Sequence, residues 1–592
     1  MLMLHRVLAP ALAVFAAAAP VSLAQANMSG HSMGAMAEIP SPDTLPPPLP
    51  MTGIGNSHLD ITAKPEAQAW FTQGLNLFHD FWDYESARAF EQGIRVDPHC
   101  AMCYWGLYEA LQFRGANPYA DGVLEQGRHT EHGITKAEKL YLKGADQSNA
   151  KAAETYRKIL KLNPEDIQAS LFLAGVLHDG YTDAGDPKPG TAQAIAVLEG
   201  VLKAHPDDSA ANHYWIHAME PSSHPERAIA AAQKLADEAP ASGHMVHMPG
   251  HIFYRTGDYA DAETWFARST AVDESYMKAQ HVSADDDWNY VHNLMYAIAD
   301  LMEEGKLDEA NQLSAKLTRA RGQYSATLYT YSPRDQMTRL SLDLPVALRE
   351  GNWPAVLSML AAAKTNDKPD ARLTNLNFLA GQLQQYATGM QAIESGDVDT
   401  AEAASKRLAT DLAIMQAKVD AMPRPDPKAD KKKETPSSTQ PILPDATLKP
   451  LVANLSIMAK ELRAAILAEK NDLPPSKTLF DEAAAAETKL GYREPPAFIL
   501  PVRETEGAAL LRAGDPAGAH IAFAAALKDR PNSGFALYGL AEASAAAGNE
   551  AAALTEYAHF LAAWRDADPS LPQKQQAQAF VDAHPVTAAV TP

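Results

Sequence analysis

Two stretches of the chain carry histidines one helical turn apart: SAANHYWIHAME holds His213 and His217, and GHMVHMPGHIFYR holds His247 and His251. On an α-helix, residues i and i+4 share a face, so both imidazoles of a pair reach one point. Such a pair is a common grip for zinc, copper, nickel or iron. Both His213 to His247 and His217 to His251 are steps of 34 residues, which places the pairs at equivalent positions in adjacent structural units. The same step from His247 reaches His281; His244 lies one turn before His247, and Glu220 three residues after His217. Four to six imidazoles and a carboxylate are expected on neighbouring helices, roughly one helix diameter apart. The cofactor this predicts is a transition metal: copper, zinc or iron. The alternative is that the same histidines bind a peptide, or stack on Tyr214, Trp215 and Tyr254.

Further candidates flank this set. HVSADDDWNYVHN brings His281, Asp285, Asp286, Asp287 and His292 close in sequence. Its carboxylates suit a hard metal or a general base, or a helix cap. If the metal is catalytic, Glu220, Asp285 and Asp287 are the acid/base candidates for oxidative or hydrolytic chemistry. His178 with Asp179, and His79 in LNLFHDFWDY, are weaker candidates. Cys100 and Cys103 stand three apart in HCAMCYW; Tyr104 occupies the place that a covalent haem needs for histidine, so haem is excluded. A local disulfide, a buried thiol pair and soft-metal ligation remain open for the two cysteines. Met28, His31, Met33 and Met36 in MSGHSMGAM offer thioether and imidazole to copper, or are low-complexity sequence. No phosphate-binding glycine loop, G-x-S-x-G elbow or H-E-x-x-H occurs, which disfavours nucleotide enzymes, α/β-hydrolases and zincin proteases.

The elements that must position these groups are helices. From Pro65 to about Met422 apolar residues recur at helical period between short Gly, Asp or Asn-Pro turns, with hardly any strand-like alternation. A 34-residue repeat underlies the pattern: Gly514, Ala519 and Phe523 recur as Gly548, Ala553 and Tyr557, and Ile216, Ala228 and Ala232 map onto Gly250, Ala262 and Phe266. With GHIFYRTGDYADAETWFARS, NAKAAETYRKILKLNP and WDYESARAFEQGIRVDP, the chain resembles the tetratricopeptide repeat (TPR) family over most of residues 65 to 565. That resemblance implies an all-α solenoid, a right-handed superhelix of helix-turn-helix repeats, whose concave groove binds peptide or protein. DPHCAMCYWG, HYWIHAME, HMPGHIFYRTGDYADA and YREPPAFILPVRETEGAALLRAGDPAGA also resemble a group of large exported bacterial TPR proteins, which implies fold and export.

Residues 1–26 hold one charged residue, Arg6, then an apolar run and Ala24-Gln25-Ala26, the pattern of a cleaved signal peptide. The protein is expected to be exported, periplasmic or secreted. Beyond it come a flexible Met/His/Pro-rich tail (27–60), the main solenoid (65–421), a Pro/Lys-rich linker (422–450), a C-terminal TPR block (451–567) and a frayed end (568–592). Lys+Arg 51 against Asp+Glu 73 gives a net charge of −22, which repels phosphate backbones and argues against nucleic acid as a partner. No stretch is apolar for the ~18 or more residues a membrane span needs.

Overall fold

The computed structural model describes residues 42–113, 118–284, 287–320, 333–363, 375–422 and 448–584. The signal peptide, the methionines and histidine of 28–36, Asp285, Asp286 and most of the 422–450 linker lie outside them. The described residues form twenty-six α-helices, two short 3₁₀ turns and one isolated bridge between Tyr181 and Pro187. None of these helices is long and apolar enough to cross a membrane.

The repeat can be followed through two local devices. Chain reversal inside a repeat uses a left-handed residue, so Gly514 and Gly548 adopt φ of 76° and 73°, and glycines 257, 305, 351 and 396 do the same. The second device is an aromatic ring on the second helix that plugs into glycines of the flanking first helices. A Cβ on Gly250 would stand 2.4 Å from the Phe266 ring, and Phe523 and Phe90 sit against Gly507/Gly539 and Gly74/Gly106 in the same way. Each helix pair thereby passes its apolar face to the next, and the stack is an α-solenoid.

This solenoid closes on itself. One hydrophobic cluster joins Leu294, Leu301 and Leu317 of the middle repeats to Leu537, Phe560 and Trp564 near the C-terminus. Trp564 Nε1 donates to the Glu303 carbonyl at 2.8 Å, and Asn532 Nδ2 donates to the Gly257 carbonyl at 3.1 Å. Beneath these contacts lies a buried ion network: Arg349 bridges Glu303 (2.7 Å) and Glu504 (2.5 Å), and Arg530 reaches Glu303 at 2.8 Å. At the other end Trp288 Nε1 donates to the Phe81 carbonyl and Tyr276 Oη to Glu85.

Two boundaries differ from the sequence reading. Of the tail placed at 27–60, residues 42–60 are tied down: Asn76 accepts from the Ser57 amide, Ser209 from the Asn56 amide, and Arg88 donates to the carbonyls of Pro46 and Pro47. Their prolines and small residues do not form a core, but their backbone groups pair with side chains of the solenoid. The helices on either side of the 422–450 segment, whose relation the sequence left open, share one hydrophobic cluster that runs from Tyr386 and Leu408 to Leu455 and Phe480. In the end read as frayed, Pro572–Ala583 is helical, with Ala577 buried and Phe580 against Tyr557.

Gly534 leaves room for the Trp564 indole, whose Nε1 lies 1.6 Å from where a Cβ would sit. Gly534→Ala is expected to destabilise the fold by about 2 kcal/mol or more through overpacking, read as a lower chemical-denaturation midpoint. Burial alone would raise the Glu303 carboxyl, but Arg349 and Arg530 hold it at about 2. The stability this pairing gives is full above the ordinary value of 4.5 and is lost as pH falls toward 2. Glu303→Gln is therefore expected to be clearly less stable than wild type at pH 7, with the gap narrowing between pH 4.5 and 2 in paired denaturation curves.

Candidate metal centre

Three first helices line the innermost part of the superhelix. Ser209–Met219, capped at its N-terminus by Asp208, presents His213 and His217 and hands on to Glu220 at its C-cap. Gly243–Thr256 presents His244, His247 and His251 along one face. Trp288–Glu303 presents Asn289, His292, Asn293 and Tyr296. Exposure of the six histidines is 0–3%. The groove expected to take a peptide is, at these residues, the sealed interior of the protein.

The imidazoles fall into two groups. His213, His217 and His244 bring ring nitrogens within 4.8 Å of one another, and so do His247, His251 and His292. Ring centroids within the first group are 4.7–5.7 Å apart, and within the second 4.4–5.5 Å. A third grouping joins His217 to Glu220 and Glu494. Glu494 arrives on the loop after Leu473–Thr488, with its Oε2 3.7 Å from His292 Nε2 and 3.9 Å from His251 Nδ1.

Five Nδ1 atoms are committed to oxygen acceptors. His217 and His251 donate to the two oxygens of Glu220 at 2.7 and 2.5 Å, and His213 donates to the His79 carbonyl at 2.6 Å. His247 and His244 meet Asn293 Oδ1 and Asn289 Oδ1 at 2.8 and 3.0 Å. The amide orientations follow from their other ends: Asn293 Nδ2 donates to the Phe266 carbonyl, and Asn289 Nδ2 to Asp273. With Nδ1 protonated, each Nε2 carries a lone pair. Those of His247 and His251 face each other. Nε2 of His213 and of His244 has no hydrogen-bond partner among the described residues. A metal-binding imidazole is held in the same way, its second nitrogen donating to a carboxylate, amide or carbonyl oxygen.

Burial, reinforced by neighbouring imidazoles, pushes His213, His244, His247 and His292 well below the usual histidine range, so they are neutral at pH 7. Neutral imidazole is the form that ligates. Burial would raise Glu220, but His251 and His217 bring it far below the usual carboxylate range. Burial, then Glu220, pushes Glu494 well above it.

Several sequence candidates stand elsewhere. His281 is an exposed C-cap, because the preceding helix, Tyr259–Gln280, runs for 22 residues and displaces the next first helix; His292 takes the position that the 34-residue step assigned to His281. Asp287 caps Trp288–Glu303, accepting from the Tyr290 amide, which is a structural use rather than an acid/base one. Glu220 has both oxygens engaged by imidazole N–H groups, which removes it as a general base. His79 uses Nδ1 with Tyr214 and Nε2 with Gln168, and so props the first group rather than joining it. Asp179 anchors the Gly190 and Thr191 amides, and His178 packs on Tyr181. Cys100 and Cys103 form a disulfide.

Sequence reasoning missed Glu494, Phe81 and the two asparagines. Asn289 and Asn293 form an i, i+4 amide pair inside the very stretch singled out for its aspartates, a readable signal. Phe81 carried none: it occupies the left-handed turn position that glycine fills in later repeats, at φ 60°, with its ring 4.6–5.7 Å from those of His213, His217 and His244. A bulky residue there costs about 1–2 kcal/mol of backbone strain and packs against all three rings of the first group.

Residues 505–572 match the tetratricopeptide repeat family model. No curated protein matches the sequence. Among solved structures, yeast Tom70 is 14% identical, with 87% of this chain and 95% of that chain covered and a TM-score of 0.28. The APC/C hetero-tetramer Cut9-Hcn1 is 13% identical (88% and 77% covered, TM-score 0.27), and the P58(IPK) TPR domain 12% identical (87% and 98%, TM-score 0.17). Residues 505–572 thus carry the tetratricopeptide repeat signature, and the glycine turns and aromatic plugs repeat the same helix-pair architecture elsewhere in the described chain.

Replacing Glu220 by Gln leaves one acceptor for two buried N–H donors and turns an NH₂ toward one of them. Glu220→Gln is expected to destabilise metal-free protein by about 1–3 kcal/mol, measured by thermal unfolding.

Proposed function

We propose that this is an exported TPR protein whose closed core holds a transition metal on buried histidines. The observation that carries the reading is the arrangement of the rings: five Nδ1–H groups are spent on oxygens, and the six histidines gather in two groups whose ring nitrogens come within 4.8 Å of one another. Leaving a buried polar atom unmet costs about 1–3 kcal/mol, and packing alone gives no reason for Nε2 of both His213 and His244 to stand without a partner among the described residues. An all-imidazole donor set suits copper, zinc or iron better than magnesium or calcium. If the metal keeps an open position, oxidative or hydrolytic chemistry follows, and Glu494, kept protonated beside His292, is the proton donor in reach.

The repeat fold supports a second reading, a periplasmic scaffold that binds protein or peptide and carries no metal. Because the histidine face is sealed, such a partner would sit on the outer surfaces. Elemental analysis separates the two, using protein purified without a histidine tag or chelator and then reconstituted. Wild type is expected to retain copper, zinc or iron, and the His213/His217/His247/His251→Ala variant to lose it. Absence of metal from reconstituted wild type would leave the scaffold. Asn293→Ala, which removes the acceptor for His247 Nδ1, is expected to weaken metal affinity about 10- to 100-fold in competition with a chelator.

A further inference from the structure

We infer that the core holds two metal ions side by side, one on His213, His217 and His244 and the other on His247, His251 and His292. The inference rests on the metal reading above and adds number and arrangement. Three imidazoles are enough to hold a transition ion with a position left open, and each group supplies three without borrowing from the other. The six nitrogens gather at two points, not one. Each group has the same construction: an i, i+4 pair from one first helix (213/217 and 247/251), and a third histidine from the first helix of the next repeat (244 and 292). The i, i+4 pair is thus repeated together with the fold, while the third histidine differs by one turn: His292 stands at the helix position of His247, and His244 one turn before it.

The two groups lie against each other. His244 and His247 stack with ring centroids 5.8 Å apart, and His217 and His251 stand at 6.4 Å. Glu220 ties them, one oxygen accepting from a ligand of the first group and the other from a ligand of the second. The third grouping is no independent site, since it uses His217 and a carboxylate already engaged twice. The pair of ions therefore shares one dry environment and one carboxylate that fixes the two donor sets relative to each other, the setting in which two metals act on one small ligand.

The test is refolding of the full metal-free protein from denaturant in the presence of increasing Cu(II), followed by native mass spectrometry, elemental analysis and electron paramagnetic resonance. About two equivalents are expected in wild type, with a resonance broadened or reduced by coupling between the ions. His213→Asn with His244→Asn, and separately His247→Asn with His292→Asn, are each expected to hold about one equivalent and to show a sharp, full-intensity isolated copper signal. One equivalent in wild type overturns the pair while the metal reading stands; none overturns both. Two equivalents with fully uncoupled signals overturn the shared centre. Should a double variant fail to fold by circular dichroism, the wild-type stoichiometry and coupling decide the matter alone.

Discussion

Glu220 is the pivot of the interior. Its carboxylate is removed from water, and it stays charged only because the N–H groups of His217 and His251 meet its two oxygens. Since those histidines belong to successive first helices, the carboxylate sets the rotation of one helix against the next. Arg255 adds a backbone anchor by donating to the Glu220 carbonyl. Around this pivot the rule is uniform: Asn289, Asn293 and the His79 carbonyl each take an imidazole proton, so that the polar interior is ordered by acceptors on its rim and lone pairs at its centre.

A repeat solenoid has no intrinsic reason to close, because each unit contacts only its neighbours. Closure here comes from Glu303, which receives Arg349 and Arg530 on its carboxylate, Ser533 beside them and the Trp564 indole on its carbonyl. The cost of burying these ions is met by mutual pairing in a network, where each charge has more than one partner. The outcome is an α-solenoid whose concave face has become a core.

Much of this was legible in sequence. The 34-residue period gave the helix pairs and put both histidine doublets on one face, and His244 and Glu220 followed from helical spacing alone. What spacing could not give were events that break the period. The extended Tyr259–Gln280 helix shifts the register, so the third histidine of the second group is His292 and not His281. Glu494 lies more than 270 residues from Glu220, and only closure brings it near. The role of Phe81 depends on a left-handed turn that sequence pattern assigns to glycine.

Closure also has a consequence for the order of assembly. The helices that bear the histidines pack on their immediate neighbours, so they can form early, each repeat templating the next. The contacts that seal them, Asn532 to Gly257, Arg530 to Glu303 and Trp564 to Glu303, join segments more than two hundred residues apart and can form only when the last repeats exist. A solute bound for the core thus has a window during maturation, before the final repeats dock. After that its exchange with the surroundings is governed by how often the C-terminal repeats lift away, so that residence time in the core becomes a property of fold opening more than of ligand strength.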